Sequence, residues 1–139
     1  MDNTRTCRVC GEGSSRKESF TNLSLDLVPG RSIEELLEHH LEETELEYRC
    51  ECGGTVSSLG VKFASLPNVL ILHLKRFTFS SNYQLQKVNC PIHLNRDLIV
   101  GSFQGFGLYR LISIVSHLGP TADIGHYICD VVLCCPIIG

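Results

Sequence analysis

Hydrophobic and polar positions alternate unevenly along the chain, and the pattern changes twice. Residues 1–18 are polar, with glycines and serines around a cysteine pair. Leu23, Leu25 and Leu27 then alternate with polar or acidic neighbours, the period of a half-buried strand. Pro29-Gly30 forces a turn. Ser32 followed by Glu35 forms a capping box, and Ile33, Leu36, Leu37 and Leu41 recur at helical spacing. This predicts one short amphipathic helix over residues 32–41. The acidic run 42–47 leads from it into a second cysteine pair.

The second half reads as β-rich. Residues 55–64 suit a strand, and Leu66-Pro67 ends it because proline restricts its predecessor. Residues 69–79, VLILHLKRFTF, carry the strongest strand signal, and their continuous apolar start predicts burial on both faces. Residues 80–86 read as a polar loop, and 88–94 as a weaker edge strand interrupted by Pro91. Residues 109–116 and 126–133 are predicted to pair antiparallel across the loop 118–125. One helix followed by five or six strands gives an α+β fold dominated by antiparallel sheet.

The 139 residues are enough for one domain with a core. Hydrophobic content of 43% against 19% charged argues against disorder. Twelve Lys and Arg face fifteen Asp and Glu without a basic stripe, so no nucleic-acid partner is expected. The first residues hold no apolar signal segment. The apolar run 131–138 is far shorter than the ~20 residues of a membrane span. Eight cysteines in such a chain fit a reducing, intracellular setting, cytoplasm or nucleus, and no membrane partner.

Two features carry candidate chemistry. Cys7-x-x-Cys10-Gly11 and Cys50-x-Cys52-Gly53-Gly54 are two chelating pairs, suited to one tetrahedral zinc ion in a structural role. The second pair is C-x-C, and strand alternation would send its thiols to opposite faces unless the backbone turns there. The alternative is a degenerate site without metal. The other feature is Gly125-His126-Tyr127, where a histidine opens a strand after a glycine-bearing loop. That setting suits a general base, and equally a histidine satisfied at a strand end. Cys129 lies three residues on, on the opposite face, and Asp130 is roughly 13 Å away along an extended strand. His73 reads as structural, His39 and His40 as cations favoured by the helix dipole, and His117 as a solvated loop residue in preference to a substrate-side one.

TCRVCG, NLSLDL, SIEELLEHHL, YRCECGG, LPNVLILHLKRF and YRLISIVSHLG…GHYICDV occur in that order. The chain thereby resembles the carboxy-terminal part of the catalytic domain of ubiquitin-specific proteases, the papain-like cysteine deubiquitinases. The resemblance implies a hand-shaped domain, here incomplete. About residues 6–54 would belong to zinc-bearing fingers, 55–131 to the palm, and 132–139 to an unrelated tail. It implies His126 as the general base that deprotonates the nucleophilic cysteine, and Cys7, Cys10, Cys50 and Cys52 as zinc ligands. Ubiquitin and ubiquitinated proteins would be the partners. The family's nucleophilic cysteine box has no match before Cys7, and the Asn or Asp that orients the histidine has none after Val131. The chain alone is therefore expected to be inactive in isopeptide hydrolysis. A non-catalytic ubiquitin-binding module and a structural zinc domain are the alternatives.

Overall fold

The computed structural model describes residues 1–121 and 123–131. The core forms where the apolar face of one helix meets two strands and Phe63. Helix α1 (Ile33–Leu41) buries Ile33, Leu36 and Leu37. They pack with Leu23 and Leu25 of β3 (Leu23–Leu25), Phe63, and Leu98 and Val100 of β9 (Asp97–Ser102). Ser32 caps the helix by accepting a hydrogen bond from the Glu35 amide at 3.3 Å. The amide of Ile33 donates to the carbonyl of His93 at 2.8 Å, so a distant loop also closes the helix start.

Among the described residues there are twelve strands. A four-stranded antiparallel sheet has the order β2-β1-β5-β4, with β1 (Asp2–Cys7), β2 (Gly13–Lys17), β4 (Thr44–Glu47) and β5 (Val56–Lys62). The predicted strand at 55–64 is β5. The polar start and the acidic run, by contrast, are β1, β2 and β4. They carry no apolar alternation because much of this sheet is solvent-facing; β2 and β4 are exposed throughout. β3 pairs in parallel with β6 (Leu72–Leu74), and β7 (Phe77–Phe79) pairs antiparallel with β8 (Leu85–Lys87).

The segment 69–79 is therefore two strands, not one, and it is not buried on both faces: Val69 and Ile71 are more than half exposed. Its apolar run is broken at Lys75-Arg76, which lie outside both strands. Residues 88–94 form no strand; in sheet pairing they give an isolated bridge between His93 and Ser32. β9 and β10 (Gly105–Arg110) make a further hairpin, so the predicted strand at 109–116 is divided between β10 and β11 (Ser113–Leu118). β11 pairs antiparallel with β12 (His126–Val131), as predicted, around the loop 119–125. The last two residues of the predicted strand 126–133, and Cys134 and Cys135, lie outside the described residues. Among the described residues there is one helix, and the strands are antiparallel in every pairing but one, so the fold is α+β.

Candidate functional site

The β1–β2 turn and the β4–β5 turn come to the same end of the four-stranded sheet because β1 and β5 are neighbours, with Cys7 opposite Ser57. Each turn carries one cysteine pair. All four Sγ atoms of Cys7, Cys10, Cys50 and Cys52 lie within 4.8 Å of one another. Cys7 is 3.6 Å from Cys52, and Cys10 is 3.7 Å from Cys50. Tetrahedral thiolates about 2.3 Å from zinc stand roughly 3.8 Å apart, so this donor set fits a structural zinc ion. The C-x-C spacing is no obstacle. Cys50 lies beyond the end of β4, and a tight turn in which the Gly53 amide donates to the Cys50 carbonyl at 3.0 Å swings Cys52 back. A Cβ on Gly54 would meet the Cys7 sulfur at 3.0 Å and Val9 at 2.9 Å, so the two turns approach this closely only with glycine there.

Backbone donors complete the surroundings. The Glu12 amide points at Cys10 Sγ (3.5 Å) and the Gly54 amide at Cys52 Sγ (3.4 Å), contacts that stabilise negative charge on sulfur. The amides of Cys10 and then Val9 hold the Cys7 thiol down to about 6. At Cys10 the Glu12 amide favours the thiolate, but the neighbouring Cys52 thiol and burial outweigh it and push the group up to about 12. Cys50 is also raised: the Cys52 amide favours its thiolate, and the Cys52 side chain and burial oppose it more strongly. One thiolate is thus preformed and two thiols hold protons that a cation would displace. Below the cluster, Arg5 stacks on the Tyr48 ring at 3.7 Å and reaches the buried hydroxyl of Ser57 at 3.4 Å, joining both turns.

The second candidate centre is the β11–β12 hairpin. His126 is exposed at the start of β12, opposite Leu118. The hairpin closes through two glycines. Gly119 (φ +130) and Gly125 (φ +144) face each other. A Cβ on Gly125 would collide with the Leu118 carbonyl, and one on Gly119 with the Ile124 carbonyl. Tyr127 packs on His117 at a ring distance of 5.1 Å, and His117 meets Phe77 edge-on at 5.4 Å. His117 is a strand residue in this aromatic row, not a solvated loop residue as the sequence suggested.

The structure brings the four sequence-predicted ligands together, and it keeps them apart from His126 in the sense that they belong to a different sheet. Cys129 stands opposite Val115, with its sulfur 3.2 Å from the Ser113 hydroxyl, and Asp130 stands opposite Ile114, toward the far end of β12. Of the other histidines, His73 is exposed and bonds through Nδ1 to Ser24 Oγ at 3.2 Å. His40 departs from the expectation of a dipole-stabilised cation. Burial, and then the charge of Lys75, push its pKa down.

The ubiquitin carboxyl-terminal hydrolase family model matches residues 1–134. Human ubiquitin carboxyl-terminal hydrolase 37 is 40% identical over 104 residues, which cover 69% of this chain and 11% of that protein. Ubiquitin carboxyl-terminal hydrolase creB of Emericella nidulans is 34% identical over 134 residues, covering 88% of this chain and 18% of the relative. The chain thus spans between a tenth and a fifth of the length of these two relatives. Among solved structures, a chain of the yeast SAGA DUB module superposes with a TM-score of 0.84 at 30% identity, over 92% of this chain and 31% of that one. A chain of the SAGA module of Ubp8, Sgf11, Sus1 and Sgf73 bound to monoubiquitin gives a TM-score of 0.83 over the same shares.

Proposed function

The chain belongs to the ubiquitin carboxyl-terminal hydrolase family, and from that premise we propose that it forms the finger-and-palm portion of a thiol-dependent deubiquitinase. Residues 6–54 are the fingers, with Cys7, Cys10, Cys50 and Cys52 holding a structural zinc ion. Residues 55–131 belong to the palm, and His126 is its general base. The observation that carries this reading is the pair of glycines that pinch the loop before His126. They anchor an exposed imidazole on a strand while leaving the adjoining surface open, which general-base chemistry on a large substrate requires.

In this role His126 takes the proton of a nucleophilic thiol, and the thiolate attacks the carbonyl at the ubiquitin C-terminus. The zinc, when bound, supplies cross-linking of two hairpin turns and no open coordination position. The four chain thiols that would bind it are committed to that cluster, and Cys129 lies along β12 from His126. In this proposal the 139 residues alone are inactive in hydrolysis while retaining affinity for ubiquitin, the molecule that the solved SAGA module holds. Histidine in a two-partner arrangement without its thiol gives no acyl-enzyme route.

The test is hydrolysis of a ubiquitin C-terminal fluorogenic amide by the purified chain beside His126→Ala, together with a ubiquitin titration. Equal, background-level rates with saturable ubiquitin binding are expected. Activity lost in His126→Ala would place a nucleophile within this chain and overturn the inactivity. Absence of ubiquitin binding, with zinc still bound, would favour a structural zinc domain instead.

A further inference from the structure

Lys87, the last residue of β8, is half-buried, and its ammonium reaches across to β11. Its Nζ donates to the carbonyl of His117 at 3.1 Å and to the carbonyl of Gly119 at 2.6 Å, and lies 3.1 Å from His117 Nδ1. An ammonium has three protons, and here it has three acceptors. An acceptor role for Nδ1 sets the His117 tautomer, with the ring proton on Nε2. The two carbonyls flank Leu118, and Leu118 is the residue opposite His126. The His117 ring in turn packs between Phe77 of β7 and Tyr127, the residue after His126. β7–β8 and β11–β12 are separate two-stranded units, each marginal alone. The Lys87 ammonium and the His117 ring join them beside His126.

We infer that Lys87 is a positioning residue for His126. It holds the end of β11 and the first glycine of the pinched loop, and so fixes the strand end against which His126 is paired. It also ties the open end of the β7–β8 hairpin, where Lys87 stands opposite Phe77, to Gly119. The positioning role rests on the reading of His126 as general base, whereas the strap itself does not.

Two measurements on this chain test it. The first is detection of the Lys87 ammonium by NMR at low temperature and mildly acidic pH. A slowly exchanging signal with couplings across hydrogen bonds to the His117 and Gly119 carbonyls is expected. A signal exchanging as fast as the exposed Lys17 would overturn the strap. The second is amide hydrogen exchange in Lys87→Met. Charged hydrogen bonds lost from a local unit should speed exchange at residues 117–119 and 126–127 by at least about tenfold, with the β9–β10 amides unchanged. Unchanged exchange at 117–119 and 126–127 would overturn the inference. Acceleration spread evenly over all strands would reduce Lys87 to a general stabilising residue and equally overturn it. If Lys87→Met does not fold, the ammonium measurement on the unaltered chain decides alone. His126 as general base is tested separately by turnover, so the two readings fail independently.

Discussion

The carbonyl oxygen of Leu118 occupies the space in which a side chain on Gly125 would begin, and Gly125 itself sits at φ +144. Gly125→Ala must therefore move the β12 strand end or open the hairpin. It should cost more than about 2 kcal/mol, through backbone strain and a collision with a carbonyl that cannot move independently. Urea unfolding of the two proteins reads this directly. Gly53→Asn is the control: a Cβ on Gly53 meets nothing, so only the strain of its φ of +90 is felt, and the loss should be smaller than at Gly125.

Zinc uptake should release protons. Cys10, pushed up to about 12, and Cys50, also raised, are protonated at neutral pH, whereas Cys7, held down to about 6, is already a thiolate. Calorimetric titration with zinc at neutral pH, in buffers of different ionisation enthalpy, should report at least two protons released. Affinity should rise with pH. Cys52→Ser should weaken binding by removing one of four thiolates, and chelation should lower the melting temperature of the original chain toward that of the variant. Release of no protons would contradict the assigned ligand states.

His40 makes the fold acid-sensitive. Its pKa in the folded chain is depressed by burial and by Lys75, below the ordinary histidine value of 6.5 that it regains on unfolding. The unfolded chain thus binds the proton more readily, and the stabilisation from neutral His40 is present above 6.5 and lost as pH falls through the folded value. His40→Gln should flatten the loss of stability between neutral and mildly acidic pH. The ring resonances of His40 should titrate below the ordinary histidine value of 6.5.

Packing separates two phenylalanines that composition does not. Phe63 is 1% exposed, lies in the core beside Leu25 and Leu36, and meets Phe20 at 5.7 Å. Phe63→Ala should cost about 3–5 kcal/mol. Phe106 is 86% exposed on β10, and Phe106→Ala should stay within about 0.5 kcal/mol while reducing self-association of the exposed apolar strands. Denaturation midpoints and light scattering check both.

The sequence was legible where one face of an element is buried and punctuation is strong. Ser32, Glu35 and the helical spacing of Ile33, Leu36 and Leu37 located α1, and Leu23 and Leu25 located β3. The Gly125-His126 step located the start of β12. It was illegible where sheets face solvent. Residues 13–17 and 44–47 are exposed at every position, so no hydrophobic period marks them as strands. The β9–β10 hairpin hid its turn in Ser102-Phe-Gln-Gly105, although the glycine at φ +119 is the signal that would have found it. For the site, the two cysteine pairs could be read, but their convergence follows from the adjacency of β1 and β5, a long-range pairing that spacing does not encode. Lys87 was missed because nothing local marks a lysine whose three acceptors lie 30 or more residues away.

The proposed role of His126, as general base of a deubiquitinase, lies within residues 1–131. Its most direct test replaces the matching segment of an active family member by residues 1–131 of this chain and measures hydrolysis of a ubiquitin C-terminal amide. The chimaera should turn over, and His126→Ala within it should lose at least about a hundredfold in kcat, the low end of what a positioned base contributes. A chimaera that folds, binds ubiquitin and keeps its rate after His126→Ala would contradict the assignment.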